Sequence, residues 1–86
     1  MRQYIGLIHK EEASDYGVSF PDLPGVVTAG ASFDEARELA EQALAFHVEG
    51  LIDDGEAVPD PTSLEQVMAD LGNRELTPIL VPLRTR

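Results

Sequence analysis

His47 is, by residue type, the side chain in this chain best suited to general-base or metal-ligand chemistry, because an imidazole changes charge near neutral pH. A metal-binding helix would set a second ligand four residues away. Ala43 and Leu51 occupy those positions, and the chain contains no cysteine. His47 therefore reads as a core or interface histidine holding one hydrogen bond. His9, near the end of an expected strand, has no partner visible in the sequence, and no role is assigned to it.

The carboxylates Asp53, Asp54, Glu56 and Asp60 are the densest acidic cluster. A calcium loop needs oxygens at alternating positions, a glycine sixth and a glutamate twelfth. Here Gly55 comes third from Asp53, and Pro59 and Pro61 stiffen the segment. The cluster reads as a solvated helix end followed by an acidic linker. A two-metal nuclease needs several carboxylates converging from strand ends and a helix. Neither expected strand, Gln3–His9 nor Tyr16–Phe20, contains an acid; Asp15 and Asp22 only flank the second in turns. No Gly-x-Ser-x-Gly elbow or phosphate-binding loop is present, and the single lysine, Lys10, falls in a turn. Catalytic residues, metal and cofactor are accordingly expected to be none, and the chain does not read as an enzyme.

The elements that would carry these groups centre on Asp15–Gly30. Tyr16, Val18 and Phe20 alternate with Gly17 and Ser19, the period-two pattern of a half-buried strand. Pro21-Asp22-Leu23-Pro24-Gly25 forms a stiff corner, since each proline fixes a φ angle. Val26–Ala29 resumes an extended strand. Asp15, Tyr16, Pro21, Asp22 and Leu23 are the candidate partner-binding residues, because a rigid exposed corner loses little entropy on docking. The same prolines and glycine could serve only to shape the turn.

Ser32-Phe33-Asp34-Glu35 opens a helix as a capping box. The spacing predicts a helix from about Phe33 to Asp54, with Phe33, Ala36, Ala40, Ala43, Leu44, His47 and Leu51 on one stripe and Glu38, Glu41, Ala45 and Glu49 opposite. Gly50 within it suggests a close approach of backbone, and Gly55 a stop. Thr62 or Ser63 caps a second helix with Leu64, Val67, Met68 and Leu71 as its apolar side, ended by Gly72-Asn73. Leu76–Leu83 reads as an edge strand, because Pro78 and Pro82, four apart, remove donors from the same edge. The expected fold is α+β: a three-stranded antiparallel meander with a fourth strand parallel to strand one, order 3-2-1-4, and two helices on one face. The long connection before strand four permits that crossover.

Eighty-six residues form a single expected domain spanning 1–86, with a modest core that self-association would help to stabilise. A homodimer or higher homo-oligomer would use sheet edges or an exposed sheet face carrying Tyr4, Ile8 or Leu80. Net charge is −10, and all sixteen acids lie between Glu11 and Glu75, where Arg37 and Arg74 are the only cations; that block carries −14. Arg2, Lys10, Arg84 and Arg86 lie outside it. Such a body repels phosphate, so direct nucleic-acid binding is not expected, and it attracts a basic protein. Acidic surfaces also keep small proteins soluble without any partner. No segment reaches the ~20 apolar residues of a membrane span, the N-terminal apolar run is too short for a signal peptide, and the lack of cysteine fits a cytoplasmic location.

With its ordered series Asp15-Tyr16-Gly17, Phe20-Pro21-Asp22-Leu23-Pro24-Gly25, Thr28 and Gly30, followed at once by a capped acidic helix, the chain resembles the HicB-like antitoxin family of bacterial toxin–antitoxin pairs from Tyr4 to about Val81. The resemblance implies a truncated ribonuclease H-like fold. It also implies a partner: a HicA-like mRNA interferase with a double-stranded-RNA-binding-like fold and a catalytic histidine of its own. The expected function is to bind that basic toxin and mask its RNA-binding face. Many family members continue into a ribbon-helix-helix or helix-turn-helix segment. Here the chain stops at Arg86, which is either a natural end or the start of a missing segment, and no C-terminal DNA-binding domain is expected in this chain. The alternative is an orphan protein-binding or structural module of the same fold without a toxin.

Overall fold

The computed structural model describes residues 2–10 and 15–84. The elements run β1 (Gln3–His9), β2 (Tyr16–Ser19), β3 (Val27–Gly30), α1 (Phe33–Asp53), α2 (Leu64–Ala69), a 3₁₀ turn (Leu71–Asn73) and β4 (Thr77–Pro82). They form one four-stranded sheet in the order β3-β2-β1-β4. The polar turn expected over Lys10–Asp15 lies, at residues 11–14, outside the described residues.

The expected strand order holds, but every neighbouring pair is antiparallel, including β1 with β4. Strand four is therefore not parallel to strand one. The connection from β3 makes two passes rather than one. Gly30 feeds directly into α1, which runs back along the sheet; the segment after it rounds the sheet's end and climbs the other face through α2. β4 then starts beside Ile8 and descends to pair Pro82 with Gln3.

That second pass also corrects the expectation of both helices on one face. Tyr4 and Ile8 of β1 pack with Val18, Phe20 and Val81 beneath Ala36, Ala40, Leu44 and Val48 of α1. The intervening Ile5 and Leu7 pack against Val67 of α2, with Met68 and Leu76 beside them. Successive side chains of a strand point to opposite faces, and β1 is apolar on both, so both need cover. The sheet is the middle of three layers. Tyr4 and Ile8 are buried and offer no oligomer surface, whereas Leu80 is 52% exposed.

β4 is an edge strand, as its prolines require. The Leu83 N–H donates to the Arg2 carbonyl at 2.8 Å, so odd-numbered residues face β1 and Pro78 and Pro82 face outward. That edge offers only the Leu80 N–H as a donor along the strand, which discourages a further strand from pairing there.

Local signals explain the helices. Ser32 Oγ accepts the Glu35 N–H at 3.1 Å, while the Glu35 carboxylate accepts the Ala31 N–H at 3.1 Å. The reciprocal half of the capping box thus reaches one residue further back than usual. At the other end Gly55 takes φ +73°, the left-handed conformation that ends a helix at least cost in glycine. Ser63, not Thr62, caps α2, accepting the Gln66 N–H at 3.2 Å. Asn73 Nδ2 donates to the Val67 carbonyl at 2.8 Å and closes this one-and-a-half-turn helix.

Gly50 departs from its sequence reading. A Cβ built there meets nothing within 4 Å among the described residues outside its own helix backbone, so none of them makes the expected close approach. Gly50→Ala should stabilise the domain by up to ~1 kcal/mol through helix propensity alone. In thermal denaturation that corresponds to a rise in Tm of about 4–8 °C.

Candidate protein-interaction site

The Pro21–Gly25 corner is built by spacing three. The Leu23 N–H donates to the Phe20 carbonyl at 3.0 Å and the Val26 N–H to the Leu23 carbonyl at 2.9 Å. Two turns follow one another, each with a proline at its second position, where the ring's fixed φ fits. Phe20, Leu23 and Val26 all point into the core under α1. Gly25 does not need a positive φ. An added Cβ there would make only an ordinary contact with the His47 ring, 3.9 Å from its Cε1, so the site would also admit a small side chain.

Of the five candidate partner-binding residues, Asp15 and Pro21 are exposed, Tyr16 and Asp22 are half-buried and Leu23 is buried. Tyr16 packs edge-on against Phe33, with ring centroids 6.3 Å apart, and the Lys10 ammonium lies 5.3 Å from the Tyr16 ring centre. Asp22 turns inward. One carboxylate oxygen accepts the Thr62 N–H at 2.9 Å and the other accepts the Thr62 hydroxyl. The Tyr4 hydroxyl donates to the Pro59 carbonyl, and Arg2 pairs with Asp60 at 3.4 Å. These contacts hold the segment where the chain passes from the α1 face to the α2 face.

The remaining chemistry-bearing groups do not assemble. Among the described residues, no three histidines or acids come together in a way that could hold a metal ion. His9 Nε2 lies 2.7 Å from Ser19 Oγ on the α2 side of the sheet, a pairing that the β1–β2 register creates and that sequence inspection had passed over. Asp53, Asp54, Glu56 and Asp60 remain exposed around the end of α1 and its linker. Glu41 pairs with Arg84 along the helix flank. Among the described residues, no helix is long and apolar enough to cross a membrane.

What the sequence reading missed is Phe46. It projects from α1 away from the core and is 81% exposed; Val27, at the start of β3, is 71% exposed. Gly25, Val26, Val27, Ala43, Phe46 and His47 line a shallow cleft. A second cleft on the other side of Phe46 and His47 is lined by Gly50, Leu51, Asp54 and Glu56. The signal was available: at 100° per residue Phe46 falls 160° from Leu44, so a large aromatic stands on the polar side of an amphipathic helix.

Known proteins share this geometry. A family model described as the HicB-like antitoxin of bacterial toxin–antitoxin systems matches residues 4–85. The chain belongs to the HicB-like antitoxin family. Over 69 residues it is 38% identical to antitoxin HicB 1 of Photorhabdus laumondii, a match covering 80% of this chain and 44% of that protein. It superposes on the crystal structure of the Burkholderia pseudomallei antitoxin HicB with a TM-score of 0.88 at 33% identity, covering 96% of this chain and 64% of that one. For the N-terminal domain of the same antitoxin the values are 0.85 and 32%, covering 95% and 98%. A structure of a HicA3 and HicB3 toxin–antitoxin complex matches with a TM-score of 0.73 at 28% identity, covering 98% of both chains. This HicB-like chain spans less than half the length of the curated relatives it matches.

Proposed function

We propose that this HicB-like domain binds a small basic HicA-like mRNA interferase and covers its RNA-binding face. The observation that carries the reading is the charge map of a domain from an antitoxin family. Net charge is −10, with the carboxylates running along the exposed side of α1 and through its linker. A matched structure is a HicA3 and HicB3 complex, which supports the choice of partner. Complementary charge speeds encounter with a cationic toxin, and apolar contacts at the interface set how long the complex lasts. RNA cleavage is then the partner's chemistry, and occlusion is this domain's contribution.

The test is to add the domain to a HicA-like mRNA interferase co-purified with it from the native cell. RNA cleavage should stop at a 1:1 ratio, and the association rate should fall steeply as salt rises. A toxin that stays fully active in excess domain would leave the orphan binding module as the better reading.

A further inference from the structure

We infer that the partner's basic surface docks on the notch around Phe46, between Gly25 and Gly50, and places an arginine or lysine against the Phe46 ring. This rests on the antitoxin reading above and adds to it the surface and the chemistry that surface receives.

The inference starts from Gly50. A glycine inside a helix weakens it by up to ~1 kcal/mol, and its bare Cα lets another surface come close to the helix backbone. None of the described residues outside its own helix backbone does so, because a Cβ at Gly50 would meet nothing within 4 Å. Gly50 lines the same cleft as Phe46, His47, Asp54 and Glu56. Across His47 the neighbouring cleft is lined by Gly25, Val27 and Phe46 among others. Two residues without side chains therefore flank a half-buried imidazole, beside an aromatic ring that is 81% exposed. Exposed aromatic anchors beside small residues have the make-up of a binding hot spot, with a ring to bury and a recess to receive.

Charge selects the occupant. Asp54 and Glu56 line the recess, and the acids between Glu11 and Glu75 outnumber their cations sixteen to two. A cation over Phe46 gains both the ring face and the carboxylates. A second copy of this chain would bring −10 against −10, and RNA would bring phosphates; both are repelled. A basic protein surface is the occupant that fits.

The probe is the co-purified HicA-like protein, inactivated at the catalytic histidine that the family resemblance implies, with binding and dissociation followed by surface plasmon resonance. Phe46→Ser should weaken Kd by about 30-fold or more, chiefly through faster dissociation. Gly50→Gln fills the recess with a good helix former, so it should weaken Kd about 10-fold while Tm rises. Because the fold becomes more stable, unfolding cannot explain that loss. Asp54→Asn with Glu56→Gln should slow association and flatten its salt dependence. Leu80→Ser, on the opposite layer, should bind as the parent does. Parent-like binding by both Phe46→Ser and Gly50→Gln would overturn this surface while leaving the antitoxin function standing. Failure of the parent chain to bind the probe would remove the function and the surface together.

Discussion

Gly30→Ala is expected to remove most of the domain's stability, lowering its Tm by more than about 10 °C and moving the urea midpoint to less than half the parent's. A Cβ at position 30 would lie 2.5 Å from the Ala36 nitrogen, 2.8 Å from its Cα and 2.9 Å from the Glu35 carbonyl carbon. All three are backbone atoms of the first turn of α1, so no side chain can swing aside. Relief requires lifting α1 off β3, yet Ala36 and Ala40, the residues that let the helix lie close, are fully buried there. Overpacking usually costs about 1–3 kcal/mol, and a clash with backbone that cannot swing aside falls at the upper end of that range. A domain this small holds on the order of 5 kcal/mol in total. The same replacement at Gly50 is expected to stabilise, so two Gly→Ala variants in one chain should move in opposite directions. Equal Tm values for Gly30→Ala and the parent would show that α1 does not sit where described.

The difference between these glycines marks where sequence reading succeeds. Patterns confined to one element were legible. The capping box at Ser32, the stop at Gly55 and the edge character imposed by Pro78 and Pro82 each depend on a few neighbouring residues. The stripe of α1 came through with a small rotation: Val48 is buried where His47 was expected, and Phe33 is partly exposed. Quantities that depend on distant chain were not legible. The direction of β4 turned on whether the connection crossed the sheet once or twice, and its length allows both. The apolar residues on both faces of β1 were the clue to a layer on each side, but they do not say which helix covers which face.

The corner illustrates the same limit at the level of the site. Its prolines and glycine announce a rigid turn, and rigidity suggested a docking surface. In the structure Leu23 is core and Asp22 is turned inward, while Pro21, Pro24 and Gly25 face solvent. Its spacing of three is explained by Phe20, Leu23 and Val26 entering the core together. Phe46 carried the opposite signal. It is conspicuous because it breaks the helix's own pattern, an aromatic on the polar side of α1 that the packing of this domain does not use.

Asp22→Ala should cost about 2 kcal/mol and loosen one face of the protein before the other. The carboxylate accepts two hydrogen bonds from Thr62, forty residues away, in a half-buried setting. Charged acceptors of this kind are worth more than neutral ones, and Thr62 would be left with its N–H and hydroxyl unpaired. The contact stands at the crossing between faces, where the Tyr4 hydroxyl also holds the Pro59 carbonyl. Downstream of the crossing, among the described residues, Val67 and Met68 of α2 and Leu76 beyond it pack on Ile5 and Leu7. Upstream, α1 is fixed by the larger core. Amide exchange in the Asp22→Ala variant should therefore accelerate across Leu64–Ala69 while Ala40–Val48 stays protected. Thr62→Val should reproduce the pattern, and the double variant should cost less than the two single losses added, by about 1 kcal/mol or more. Tyr4→Phe acts on the same crossing and should couple to both. Uniform acceleration through α1 and α2, or strict additivity of Asp22→Ala and Thr62→Val, would mean that the clasp does not hold the second layer.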